Sequence, residues 1–136
     1  MGYKKISGSV TRPADTTQYA VGDVVTATSA AVITFTNVLN ANNGSGKIVK
    51  STLLDSANQA TKAQIDLFLF HTAPAIDADN ATFTPTDAEL ANLVGIVRFA
   101  TAVDGDLTSG AGGNAIYHGV NVTGQYETPI TTKVAS

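Results

Sequence analysis

A chain of 136 residues and 13.9 kDa has the length of one domain, and folding at this size buries roughly two-thirds of the unfolded surface, so one real core is within reach. Only 14% of the residues are charged while 43% are hydrophobic, so the solvent face must be built largely from Thr, Ser, Asn and Ala. A net charge of -3 with eight scattered Lys and Arg excludes the basic field that nucleic acid needs, the absence of cysteine excludes a disulfide framework, and no apolar run approaches the roughly 18 residues of a membrane span.

Period two dominates from the start. Ile6, Gly8 and Val10 alternate with Lys5, Ser7 and Ser9, which predicts a strand over Lys4 to Thr11 with one wet face. Arg12-Pro13-Ala14-Asp15 then breaks it, because proline cannot donate to a ladder and Asp favours turns. Gly22 to Ser29 and Ala31 to Leu39 are β-branched and alternating, with Val24, Ile33 and Phe35 aimed at a core, so two further strands are expected. The Asn43-Gly44 pair suits positive φ and predicts a hairpin that returns through Lys47 to Leu54. Ala63 to Thr72 carries apolar residues on both faces, Ile65, Leu67 and Leu69 on one and Phe68 and Phe70 on the other; such a strand is central or covers a subunit interface.

Pro74 to Pro85 reads as irregular. Thr86-Asp87-Ala88-Glu89 has the form of a capping box, with Thr86 capping and Glu89 reaching back, and predicts one short helix over Asp87 to Val94. Gly95 to Thr101, Ala115 to Thr123 and Thr128 to Val134 complete the strands, separated by a Gly/Asp loop from Val103 to Gly113 and by Gly124-Gln125. About eight or nine short strands and one brief helix, with no linker or repeat, predict a single all-β domain over residues 1–136. An antiparallel β-sandwich of jelly-roll type is expected, since the Cys and Trp markers of immunoglobulin domains are missing.

Candidate chemistry fails at named residues. Asn43-Gly44-Ser45-Gly46-Lys47-Ile48 departs from a phosphate loop at Ala41 and Ile48, and a strand rather than a helix is expected after Lys47. His71 and His118 share strand faces with apolar residues and read as interior or interface histidines, since no ligand sits at short spacing from either. Asp77-Ala78-Asp79-Asn80 and Asp104-Gly105-Asp106 offer carboxylates of a kind calcium takes, but turn chemistry is the favoured reading. No nucleophile elbow and no recognisable carboxylate pair occurs. The expectation is a non-enzyme with no catalytic residues, no metal and no cofactor. Asn43, Asn80 and Asn121 head sequons, but no secretory signal accompanies them. Tyr3, Tyr19, Tyr117 and Tyr126 are the possible platforms for a sugar, though an ordinary sheet-surface or interface role is favoured for each.

Two stretches carry a resemblance. Arg12-Pro13-Ala14-Asp15-Thr16-Thr17-Gln18-Tyr19-Ala20-Val21-Gly22-Asp23-Val24-Val25 and residues 66–95 (DLFLFHTAPAIDADNATFTPTDAELANLVG) are similar to a family of small structural proteins of tailed phages and prophages. The resemblance implies a β-sandwich bound to the particle, most commonly as capsid decoration or cement, with no catalytic residues to transfer. The implied partner is the major capsid protein; the two-faced strand with Phe68 and Phe70 points besides to further copies of the chain, as a homotrimer, while charge and hydropathy point to neither nucleic acid nor membrane. The implied place is the capsid surface of the virion, after synthesis in the host cytoplasm. Within the first motif a fold-corner role is favoured over a capsid contact: Pro13 fixes a turn, Asp15 and the threonines cap it, and Tyr19 seals an edge, while Phe83 anchors the second motif. Partner-binding candidates are Tyr3, Lys4, Lys5, Arg12, Asp15, Tyr19, Phe68 and Phe70. A head-fibre or tail component and a glycan-binding module contacting the host are the alternatives, with an esterase-like enzyme far behind.

Overall fold

The computed structural model describes residues 3–41, 44–56, 63–99, 115–121 and 128–131. The regular structure is mostly strand, paired antiparallel, with one short helix. In chain order the elements are β1 (Ser45–Ile48), β2 (Thr52–Asp55), β3 (Ile65–Phe70), α1 (Asp87–Leu90), β4 (Leu93–Phe99), β5 (Ala115–His118), β6 (Val120–Asn121) and β7 (Thr128–Thr131). Among the described residues no helix is long and apolar enough to cross a membrane. The chain forms two compact units, Met1–Ala41 with Thr72–Asn92 and Asn42–His71 with Leu93–Ser136.

Among the described residues all the strands lie in the second unit. β3, β4 and β6 make a three-stranded sheet in that order, while β1 pairs with β7 and β2 with β5. The β3–β4 register sets apolar residues opposite one another, Ile65 against Phe99 and Leu67 against Val97, and cross-strand pairs of this kind are the unit of sheet stabilisation. Val97 and Phe99 are almost completely buried, and Leu53, Ile65, Leu67 and Leu69 pack against them. Asp66 stands opposite Arg98. The guanidinium donates from Nε to Oδ1 at 2.9 Å and from Nη2 to Oδ2 at 2.8 Å. This fork fixes the register geometrically and favours the charged guanidinium, raising the Arg98 pKa through the Asp66 hydrogen bonds and charge.

Gly119 lies between β5 and β6, where the chain leaves the partner of β2 and becomes the partner of β4. Its N–H donates to the Ser51 carbonyl at 3.0 Å. A Cβ placed there would stand 2.5 Å from Val97 Cγ1 and 2.7 Å from Phe99 Cε1, and closer still to Ser51 Oγ. Only glycine lets the strand pass this close to the core.

The first unit holds the helix and is almost without ladders among the described residues. The strands expected over residues 4–11, 22–29 and 31–39 are absent; only Asp23 forms a bridge, with Thr82. Local turns explain part of this. Ala30 donates to the Ala27 carbonyl at 2.9 Å with φ of 51°, and Asn37 has φ of 54°, so each extended run ends in a left-handed residue. The side-chain alternation survives, with Ile33 and Phe35 half-buried between exposed neighbours.

Other boundaries shift for similar reasons. The single strand expected over residues 47–54 is two, β1 and β2, because Val49 and Lys50 are both exposed and the inward phase restarts at Ser51. The hairpin around Asn43-Gly44 is replaced by the distant pairing of β1 with β7, in register Ser45 to Thr131. The helix stops at Leu90, four residues before the expected end at Val94; Leu93 and Val94 instead join the β4 ladder. The strand over residues 115–123 is divided at Gly119, and the loop over residues 103–113 lies outside the described residues.

The capping box forms as its residues predict. Glu89 donates its N–H to Thr86 Oγ1 at 3.3 Å, while its carboxylate accepts from the Thr86 N–H at 2.7 Å and the Thr86 hydroxyl at 2.8 Å. The same carboxylate accepts from the Ala75 N–H at 2.7 Å, tying the helix start to the preceding loop.

Two outcomes follow. Gly119→Ala overpacks the Val97–Phe99 core and is expected to cost about 1–3 kcal/mol in denaturant unfolding. An unchanged midpoint would contradict the close packing at Gly119. The Thr86 bonds, then the Ala75 bond, hold the Glu89 carboxyl below its ordinary value of 4.5. Because the folded-state value is depressed, this contribution is complete above that pH and is lost as pH falls below it. The Ala75 and Thr86 amides should therefore lose hydrogen-exchange protection on acidification, and Glu89→Gln should remove most of that pH dependence.

Candidate functional site

The densest polar cluster lies in the first unit and is built by both stretches that carry the resemblance. Pro13 and Asp15 shape its entry: Asp15 Oδ1 accepts from the Thr17 N–H at 3.0 Å, the Asx turn expected of this motif. The chain then delivers Tyr19, whose ring lies 4.7 Å beneath the Arg12 guanidinium carbon, within cation–π range. Asp23 Oδ2 accepts from the Ala20 N–H at 2.6 Å, and Gly22 takes φ of 93°, so Val24 to Thr26 run back past the second motif.

Asp79 is the centre. The Tyr19 hydroxyl donates to its carboxylate, 2.8 Å from each oxygen. Oδ1 also accepts from the Thr26 N–H at 2.8 Å. Thr26 is 1% exposed. Its hydroxyl donates to the Ala31 carbonyl at 2.7 Å and accepts from the Ala31 N–H at 3.1 Å, so a buried polar side chain is fully used. Around this centre three main-chain bonds join the stretches: Val24 N–H to the Ala81 carbonyl, Asn80 N–H to the Val24 carbonyl, and Phe83 N–H to the Gly22 carbonyl, at 2.8, 2.9 and 2.9 Å.

Burial pushes the Tyr19 phenol up to about 12, and the hydrogen bond to Asp79 adds to the shift while Arg12 opposes it. The phenol is thus held protonated and donating. Asp77 is spent locally: its Oδ2 accepts from the Thr84 N–H at 3.1 Å and the Thr84 hydroxyl at 3.3 Å. The run Asp77 to Asn80 is thus turn and clamp chemistry. Among the described residues no three His, Cys, Asp or Glu side chains converge as metal ligands. One buried polar atom of this region, Asn80 Oδ1, has no hydrogen-bond partner among the described residues, and Asn80 sits at φ of 62°.

The partner-binding candidates do not form one site. Tyr3 is 91% exposed and Lys4 and Lys5 are exposed beside it. Arg12 and Tyr19 are half-buried and engaged in the clamp, while Asp15 caps its own turn. Phe68 and Phe70 lie in the other unit, half-buried on β3. His71, expected in an interior or at an interface, is exposed just past the end of β3, so it is not an interior histidine, because the strand stops at Phe70; the His118 side chain lies outside the described residues. Asp79 and Thr26 are the residues that sequence reasoning did not assign to this role, since each finds its partner far along the chain.

Tyr19→Phe removes the donor to both Asp79 oxygens and should cost about 1–2 kcal/mol in unfolding free energy. The phenol's raised folded-state value means that its contribution is complete below pH 10.0 and declines as pH rises toward about 12. Tyrosinate absorbance should show a late ionisation that Tyr19→Phe removes; a titration unchanged by that substitution would contradict the clamp.

Compared with known protein families, with curated proteins and with solved structures, the chain matches none.

Proposed function

We propose that the chain is a structural protein of a bacteriophage virion, a capsid decoration or cement protein that binds the outer shell and stabilises it. The observation that carries this reading is that the two stretches resembling small tailed-phage virion proteins are bonded to each other, through the Tyr19 hydroxyl on Asp79 and through the main chain of Gly22 and Val24 on Asn80, Ala81 and Phe83. The motif residues serve a framework. Such a protein works by position and contact, not by chemistry on a substrate.

The surface supports the same reading. The only hydrophobic residues buried among the described ones are Val24, Val97 and Phe99, while Tyr3, Val21, Val49, Leu54 and Leu90 stand exposed. With 14% charged residues, docking such a surface desolvates few ions. A cement protein resists shell expansion by bridging neighbouring capsomers, and repeated copies make modest contacts of about 800 Å² per partner effective together. In this reading the antiparallel strands belong to a jelly-roll sandwich, the protein is a homotrimer at local threefold positions, and its partner is the major capsid protein on the virion surface.

The test is to mix the purified protein with capsids that lack it and to image the particles. Ordered additional density at symmetry-related positions is expected, together with greater resistance of the decorated shells to heat. Shells that stay bare at saturating protein would overturn the cement reading.

A further inference from the structure

The first unit contains two strand-patterned segments that have no ladder. Residues 3–10 alternate as a strand does, yet none of their N–H or carbonyl groups bonds to another described residue. Residues 32–36 are in the same condition, with Val32, Thr34 and Thr36 exposed between half-buried Ile33 and Phe35. The segments already fit each other through side chains: a Cβ on Gly8 would fall on Ile33 Cγ2 and lie 3.0 Å from Phe35 Cε1. Gly8 thus lies against Ile33 and Phe35, while the hydrogen-bonding edges of both segments meet no described residue, and an unused edge is a template for another chain.

Charge selects that chain. In this unit every cation is N-terminal, Lys4, Lys5 and Arg12, whereas the carboxylates Asp15, Asp23, Asp77, Asp79, Asp87 and Glu89 all follow. Arg12 is committed to Tyr19, which leaves Lys4 and Lys5 exposed on the arm. Two arms repel each other, while an arm and the acidic body of another copy attract. A contact between unlike surfaces of identical chains is heterologous, the kind that closes into rings such as a trimer.

We propose that residues 3–9 of one copy add as a strand to residues 32–36 of a second copy. This deepens the self-association within the proposed function and rests on that part alone. Capsid binding does not enter it, so the test below contains no capsid and its failure is separable from that of the imaging experiment.

Ser7→Pro and Thr34→Pro each delete an N–H that bonds to no described residue, so each should fold as the wild type does by circular dichroism. Each removes a ladder donor and clashes with an added strand. Sedimentation equilibrium should show wild-type oligomers, with association weakened about tenfold or more in either variant. Ser7→Ala should associate as wild type does. Hydrogen exchange should show the amides of residues 4–9 protected in wild type and unprotected in Thr34→Pro, the variant altered on the other segment. Monomeric wild-type protein, proline variants that associate undiminished, or arm amides unprotected in the oligomer would each overturn the proposal. Should a proline variant fail to fold, Lys4→Glu with Lys5→Glu tests the same contact, since weakened association is expected and undiminished association contradicts it.

Discussion

The carboxylate of Asp79 is the contact on which the first unit depends. It accepts from the Tyr19 hydroxyl and from the Thr26 N–H, and so holds together segments that share no regular sheet beyond one bridge. In a unit whose buried side chains among the described residues are Val24 and Thr26, apolar burial is thin. Polar contacts carry a correspondingly larger share of the specificity. A carboxylate with two donors at 2.8 Å is well suited to this, because it accepts from both at once and charge-assisted bonds are the stronger kind.

The second unit is held differently. Val97 and Phe99 form the core, and the register of β3 on β4 delivers Ile65, Leu67 and Leu69 to it. Gly119 lets a third segment pass against those two residues. The chain thus combines one unit built on strand pairing with another built on a hydrogen-bonded clamp and extended edges. In the proposed assembly, neighbouring copies and the shell supply the burial that a free chain provides sparingly, and stability then becomes inseparable from assembly.

Local features were legible in the sequence because their causes are local. Thr86 and Glu89 stand one helical turn apart, and their capping box is present as expected, though the helix is shorter because Leu93 and Val94 gain more from the β4 ladder. The two-faced pattern of residues 65–70 also appears, as a strand half-buried throughout. Alternation over residues 31–36 correctly placed Ile33 and Phe35 inward, yet it did not produce a strand. Period two reports which side of an extended chain is covered, and ladder formation needs an edge that no local pattern specifies. Asp79 was hidden for the same reason: its donors lie 60 and 53 residues away, and its own neighbours resemble a turn. Gly119 showed no sign because its need for a missing Cβ comes from Val97 and Phe99.

If Asp79 organises the first unit, the main-chain bonds around it must open together when it is removed. Native-state hydrogen exchange on Asp79→Ala reads this directly. The amides of Val24, Thr26, Asn80 and Phe83 are expected to be protected in the wild type and all to lose protection in the variant, while those of β3 and β4 keep theirs. Persistent protection at Val24, Asn80 and Phe83 in the variant would contradict the central role given to Asp79.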